Sequence, residues 1–426
     1  FQTGSLPNGV FDSEVFSAWS YVTHFGNWTS PYGWVPGGFA DAAHKHGVLV
    51  SGLASVPNAS MPNAWRQCFL GMNSLASTDE GMEKICKFLR YHGSDGISYN
   101  SEWLGNWSKS EQTELNTMHG KLIKYLLQYQ DRAENIWYGG ANDNGAVSYW
   151  GEGLGSRFYN TFGYSDEPRT VFFSNYNWNS SSYYAEDKAA FETTKRDTRD
   201  LYLGLNMQGG TRPASEWQQH DVGGQAQDYS IGLWGAHSNN MLFPARVNAG
   251  GSDLLKQKGY QEVLEQWFTN GKRNPLHRME VGVTKGAGPT FHGMSRLMNA
   301  RSAYGWDLSD EPFITYFSLG NGNCYRQEGK VMYDNEWYNI GMQDYTPTWR
   351  WWWADKFLGK EEADVPANSM SAEFCWDDAW DGGSSLKISG STADGETQYL
   401  HLFKTQFSVK NNDIITIRYK ILKGNG

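Results

Sequence analysis

The sequence predicts an α/β chain: a (β/α)8 TIM barrel over residues 1–362, followed by a partial β-sandwich domain over 363–426. Three observations carry this. Short β-rich runs alternate with helical stretches through the first 360 or so residues, as βα units on a parallel sheet do. About eight such runs are present, the number a barrel of this kind needs. After "TPTWRWWWADKFLG" the texture changes to strand alternation with Gly, Asp and Ser turns and no helical period.

The predicted strands are Trp19–Tyr21, Val48–Ser51, Gly96–Tyr99, Ile136–Tyr138, Val171–Asn175, Leu201–Leu205, Ser230–Leu233 and Ile314–Phe317. Between them, "DEGMEKICKFLRYH" (Asp79 to His92) and "EQTELNTMHGKLIKYLLQYQ" (Glu111 to Gln130) repeat apolar residues at three- and four-residue spacing, as amphipathic helices require. A doubly wound open sheet is the alternative arrangement of the same units. From Ala367, "SAEFCWDDAWDGGSSLKISG" and "TIRYKIL" read as sandwich strands. That stretch holds only about 60 residues where a sandwich needs about 100, so more of the module is expected beyond Gly426.

Composition narrows the function. Aromatic residues make up 15% of the 426, with 20 Trp and 24 Tyr, while charged residues are only 19%. Such a chain suits stacking on flat faces such as sugar rings, although a large aromatic core accounts for part of the excess. A net charge of −10 and no basic cluster longer than Lys195-Arg196 argue against nucleic acid. No apolar run approaches 18 residues, so no transmembrane segment is expected. The four cysteines are scattered without a CxxC pair and give no zinc signature. "HKH" (His44 to His46) lacks a third nearby ligand and reads as structural, so no metal is assigned.

Barrel active sites lie at the C-terminal ends of the strands. Here those ends carry Asn100 and Glu102, then Tyr138, then Asn175 and Trp178, then Asn206 and Gln208, then Trp234 leading into the His237 loop. None is Lys or Arg, and the set suits a neutral polyhydroxylated ligand. In "SDGISYNSEW", Asn100 and Glu102 share one face if the extended geometry persists. Asp95, before Gly96, reads as a turn residue, and Tyr138 taken alone reads as core. A lone carboxylic acid serves as general acid toward a glycosidic oxygen when a dry pocket raises its pKa. The usual second carboxylate is missing, and its position holds Asn100. That points to substrate assistance, in which the sugar's 2-acetamido oxygen attacks the anomeric carbon.

These segments resemble glycoside hydrolase family 85, endo-β-N-acetylglucosaminidases that cut the chitobiose core of N-linked glycans. "DGISYNSEW" is similar to the family's strand-three segment with its N-x-E pair, "IWYGG" to its W-Y-D-S segment and "FFSNYNW" to its F-L-N-Y-N-W segment. "LGLNMQGG" is similar to G-I-D-V-F-G-R-G, "AAHKHGVLVSG" to the A-H-R-H-G-V segment, and "NIGMQDYTPTWRW" to the L-Q-D-x-x-P-T-W-R-W segment. The resemblance covers most of 15–360 and continues into "DDAWDGGSSLKISG". It implies a retaining, substrate-assisted hydrolysis of GlcNAc-β-1,4-GlcNAc, with transglycosylation as an added capacity. Glu102 would be the acid and then the base, Asn100 would stabilise the acetamido group, and Tyr138 would hydrogen-bond near the acetamido oxygen or Glu102. Trp178 and either Tyr149 or Trp150 would line the sugar subsites. Asn175, Trp234, Asn206 and Gln208 complete the expected substrate contacts.

No metal or organic cofactor is implied; the expected partners are N-linked glycans of glycoproteins or glycopeptides, and the chain is expected to be a monomer. Gly139 replaces the family's Asp after Tyr138, Asn206 replaces the strand-six Asp, and Gln208-Gly209 replace an aromatic and an Arg-containing turn. Those departures leave a non-catalytic, lectin-like barrel as a competing reading. Another substrate-assisted hydrolase such as a chitinase would carry a D-x-x-D-x-D-x-E run, which is absent. Composition and a start without Met suggest a secreted or surface-attached bacterial enzyme, with the cytosol as the alternative.

Overall fold

Seven parallel strands hydrogen-bond to one another in their order along the chain. The computed structural model describes residues 15–27, 35–55, 67–101, 108–147, 153–206, 228–234, 253–269, 303–307, 312–347, 352–354, 370–403 and 405–424. The strands are β1 (His24–Asn27), β2 (Leu49–Ser55), β3 (Ile97–Asn100), β4 (Ile136–Tyr138), β5 (Val171–Phe173), β6 (Leu201–Asn206) and β7 (Ser230–Trp234). A doubly wound sheet reverses its strand order at a switch point. This sheet never reverses, so the arrangement is the curled one of a TIM-like barrel.

The crossovers are helical for reasons visible in the sequence. Helix α1 (Gly37–Lys45) links β1 to β2, α2 (Asp79–Tyr91) links β2 to β3, and α3 (Lys109–Leu126) links β3 to β4. The Thr78 hydroxyl caps α2 by accepting from Gly81 N, and Met82, Ile85, Cys86 and Leu89 form its buried face. Ser108 and Glu111 close a capping box on α3. Helix α4 (Ser181–Thr194) follows β5 and stops at Lys195, whose φ of 59° is left-handed. Helix α5 (Asp253–Thr269) follows β7 and returns to the segment that leads into β1. There Gln257 Oε1 accepts from Val15 N, and Gln261 accepts from Ser17 Oγ while donating to Val15 O. Phe268 stacks on Tyr21 with ring centres 5.7 Å apart. The last described helix of the barrel thus packs against its first residues.

Two predicted strands are corrected. Trp19–Tyr21 is a single 3-10 turn, because Val22 N bonds back to Trp19 O, and β1 begins at His24. Ile314–Phe317 is not a strand. The backbone N–H groups of Tyr316 and Ser318 donate to Asp344 Oδ2 instead of to a neighbouring strand, and Phe317 has a φ of 62°, outside extended geometry. Strand ends also shift: β5 stops at Phe173, two residues before the expected Asn175.

The N-terminal end of the sheet is stitched by charge. Asp95 is not a simple turn residue: it is buried and accepts from Val50 N, His44 Nε2 and Gln130 Nε2. Burial alone would lower the His44 pKa, but the hydrogen bond and charge of Asp95 more than offset it, and the net shift is upward. His46 bonds to Ala42 O and accepts from Thr346 N, so the two histidines of "HKH" serve different partners. Deeper inside, His24 joins Glu134 at 3.1 Å to Ser51 at 2.8 Å, and Ser51 joins Ser98 at 2.6 Å.

Segments on both sides of residue 362 share one core. Ala372, Phe374 and Trp376 pack with Trp19, Phe39, Val50, Leu319 and Ile340, and Trp353 packs at its margin. The hairpin Ser371–Cys375/Ser385–Ser389 is tied to the barrel side by Trp376 Nε1 donating to Asn321 and Ser384 Oγ donating to Phe317 O. Trp352–Ala354 pairs antiparallel with Tyr399–His401, and Ala303–Asp307 pairs parallel with Thr405–Ser408. No described helix is long and apolar enough to cross a membrane.

One buried group on α3 yields a prediction. His119 is fully buried against Tyr99 and Trp137, its ring nitrogens have no hydrogen-bond partner among the described residues, and burial lowers its pKa from 6.5 to about 3. The folded chain keeps it neutral, so the unfolded chain binds the extra proton below pH 6.5 and stability falls from there toward pH 3. The slope from this one group approaches about 1.4 kcal/mol per pH unit. Denaturant melts at pH 7.5 and 5.0 should show His119→Leu losing less stability on acidification than the parent; equal losses would refute this origin.

Candidate active site

Side chains on a strand alternate faces, and the partners of β3 show which face is which. Tyr99 packs outward on His119 and Trp137, with ring centres 4.6 and 5.3 Å away. Ser98 meets Ser51 inside the barrel, so Asn100, two residues on, shares that interior face. The register then sets its neighbours: Asn100 lies beside Tyr138, and Tyr138 beside Phe173. On the other side of the sheet Asn206 lies beside Trp234. Asn100 and Trp234 are half-buried and Tyr138 is buried.

An aromatic floor underlies this row. Phe173 lies 5.6 Å from Tyr138, ring centre to ring centre, and Tyr138 lies 6.1 Å from Tyr176. Phe173 fits because its neighbours on β6 and β7 are glycines. A Cβ at Gly232 would come within 2.1 Å of the Phe173 ring and one at Gly204 within 3.0 Å. Phe173 and Tyr176 lie within "FFSNYNW" but are not among the expected substrate contacts. The signal that could have found Phe173 is the pairing of Gly204 with Gly232 at adjacent inward positions.

The strand-three and strand-four ends are joined by Ser101, which is fully buried. Its hydroxyl donates to Tyr138 O at 2.6 Å and accepts from Gly140 N at 3.1 Å and Ala141 N at 3.0 Å. Gly139 donates its N–H to Phe173 O. A Cβ there would lie 2.8 Å from Phe172 Cζ, and the Phe172 ring packs on Phe158 behind the sheet. A side chain at position 139 therefore leaves the strand on the helix side, away from Asn100.

The expected substrate contacts separate into three groups. Asn100, Tyr138 and Trp234 stand at the C-terminal edge of the sheet, as does the backbone of Asn206. Trp178 does not lie open for stacking: its indole is 1% exposed, donates to Gly204 O at 2.8 Å, and packs on Tyr184 of α4. Asn175 turns its side-chain oxygen onto its own loop, accepting from Tyr176 N at 2.8 Å. Glu102, Tyr149, Trp150 and Gln208 lie outside the described residues, as does the side chain of Asn206. No cluster of three metal-ligating side chains occurs among the described residues.

With the geometry in place, comparison with known proteins decides the family. The profile of glycosyl hydrolase family 85 matches residues 3–325. The chain belongs to that family. This family 85 chain is 21% identical over 387 residues to the cytosolic endo-beta-N-acetylglucosaminidase of Danio rerio, covering 89% of this chain and 45% of the relative. It is 22% identical over 397 residues to the Homo sapiens protein of the same name, covering 90% and 43%. It thus spans less than half the length of the curated relatives it matches. The glycoside hydrolase domain of Endo-D from Streptococcus pneumoniae R6 shares its fold, with a TM-score of 0.72 at 22% identity over 95% of this chain and 59% of that one.

The loop after β4 is held from α4 by a carboxyl with an unusual titration. Asp187 Oδ1 accepts from Leu154 N at 2.7 Å, and neighbouring Glu186 pairs with Arg157 at 3.3 Å. Burial, reinforced by the Glu186 charge, raises the Asp187 pKa from 3.8 to about 7, against the Leu154 hydrogen bond and Arg157. The folded state binds the proton more tightly, so this contribution to stability is full below pH 3.8 and is lost as pH rises to about 7. Asp187→Asn keeps the acceptor and should remove that slope, so its melting temperature relative to the parent should be lower at pH 5 than at pH 8. An unchanged slope would exclude Asp187 as its source.

Proposed function

We propose that this chain is an endo-β-N-acetylglucosaminidase that hydrolyses the GlcNAc-β-1,4-GlcNAc bond in the chitobiose core of N-linked glycans, with retention and by substrate assistance. The observation that carries the reading is the placement of Asn100 on the barrel's inner face, beside Tyr138 and above an aromatic floor, in a chain of family 85. The names of its two animal relatives state the same activity.

The chemistry needs one acid and one amide. The Glu102 carboxyl gives its proton to the glycosidic oxygen as the C1–O bond breaks and the reducing-side sugar leaves. The 2-acetamido carbonyl oxygen of the same sugar attacks its own C1, forming an oxazolinium ring on one face. Asn100 orients and polarises that acetamido group, and Tyr138 hydrogen-bonds beside it. Water then attacks C1 from the face the leaving group vacated, Glu102 takes its proton, and the ring opens with the original configuration restored. A sugar hydroxyl in place of that water gives transglycosylation. Among the described residues the C-terminal edge of the sheet carries amides and aromatics and no Lys or Arg, which suits a neutral glycan.

A lectin-like barrel drew support from the loss of the Asp at position 139. The direction of the Gly139 Cβ, toward Phe172 behind the sheet, weakens that support, since a side chain there would not meet the ligand. The architecture proposed with this function is the barrel over 1–362 and a β-sandwich beginning at 363. For the compartment, both relatives are named cytosolic, which favours the cytosolic alternative over secretion.

Incubation with a high-mannose glycoprotein, read by mass spectrometry, tests the reaction. The parent should leave a single GlcNAc on each site. Glu102→Gln should slow release by about 10²–10⁴-fold, the usual worth of a general acid, and Asn100→Ala should slow it comparably. Glycan that binds but stays whole would favour the lectin-like reading.

A further inference from the structure

Position 101 separates the two residues to which the reaction is assigned. The β3–β4 register ends at the Asn100–Tyr138 pair, so beyond it no strand ladder holds the two ends together. Ser101 takes over there. A hydroxyl has one proton and two lone pairs, and Ser101 uses all three, on Tyr138 O, Gly140 N and Ala141 N. The turn after β4 wraps closely around it: a Cβ at Gly140 would lie 2.5 Å from Ser101 O, so only glycine permits the approach. From behind the sheet Trp137 Nε1 donates to Ala141 O at 3.0 Å and fixes the far end of the same turn.

We infer that Ser101 is a positioning residue of the glycosidase reaction, its hydroxyl locking the end of β3 to the turn after β4 and so holding Asn100 in register with Tyr138. The inference rests on the reading under Proposed function. Its physical basis is the steep cost of misplacement, since a shift of about 1 Å in a reacting group costs on the order of 10²-fold in rate. Ser101 need not touch the glycan. It acts through the backbone of residues that do.

The test compares full-length Ser101→Ala, Ser101→Thr and Gly140→Ala with Leu122→Ala, a fully buried core change on α3. Each variant's kcat and KM on a high-mannose glycopeptide would be measured below its melting temperature. Ser101→Ala should lower kcat by about 10–100-fold with KM within a few-fold of the parent, as a loss of transition-state alignment does. Ser101→Thr, which keeps the hydroxyl, should recover most of that loss. Leu122→Ala should lower the melting temperature but keep the parent kcat. If Ser101→Ala does not fold, Gly140→Ala disturbs the same contact from its other side and should show the same kcat loss. Parental kcat in Ser101→Ala, or in Gly140→Ala where that stands in, or an equal kcat loss in Leu122→Ala, overturns the inference alone. A parent protein that leaves the glycopeptide whole overturns the proposed function and the inference together.

Discussion

Every feature of this molecule depends on seven parallel strands pairing in chain order, each with a two-residue side-chain period. That constraint gives each strand an outward face for the helices and an inward face for the barrel interior. On β3 it sends Ile97 and Tyr99 to the helices and Ser98 and Asn100 inward. On β6 it sends Leu201, Leu203 and Leu205 outward, where they are fully buried, and turns Gly204 inward. The register then converts one-dimensional spacing into lateral neighbours, which is how Asn100 comes to stand beside Tyr138 although 37 residues separate Ser101 from the carbonyl it bonds.

The two ends of the sheet are chemically opposite. At the N-terminal end, the Asp95–His44 and Glu134–His24 hydrogen bonds tie the strands to their surroundings. At the C-terminal end the described side chains are amides, phenols, an indole and a phenyl ring. A site of that composition leaves its ligand-binding polarity to neutral dipoles, which suits hydroxyl and acetamido groups better than phosphates or carboxylates.

Glycines shape the site as much as the side chains do. Gly204 and Gly232 vacate the space that Phe173 fills, and Gly140 lets a turn close on Ser101. Gly96 plays the same part at the other end of β3, where a Cβ would fall 1.9 Å from Glu134 O. The "QD" pair at Gln343-Asp344 does comparable work outside the barrel. Gln343 accepts from Trp19 Nε1 and donates to Phe16 O and Leu319 O, while Asp344 gathers the N–H groups of Tyr316 and Ser318. That pair joins the entry to β1 with the segment that the C-terminal hairpin covers.

Periodicity and capping are local, so they could be read from the chain. The α2 and α3 helices, the strand Ile136–Tyr138, the cores of β2, β3, β6 and β7, and the family motifs were legible for that reason. Apart from the local 3-10 turn at Trp19–Tyr21, what failed was set by partners distant in sequence. Ile314–Phe317 has strand composition, but Asp344 takes its N–H groups. Trp178 has the residue type of a sugar platform, but Gly204 O and Tyr184 hold it inside. Asp95 looks like a turn residue until Val50, His44 and Gln130 converge on it. Ser101 is the sharpest case: between two conspicuous residues it carries no signal, and three hydrogen bonds to residues 37–40 positions away assign its place. The sequence by itself determined the βα succession, the residue types at the strand ends and the family. Only the tertiary structure decided which of those side chains share a face and which are enclosed, because register and burial come from contacts across the sheet that no local pattern encodes.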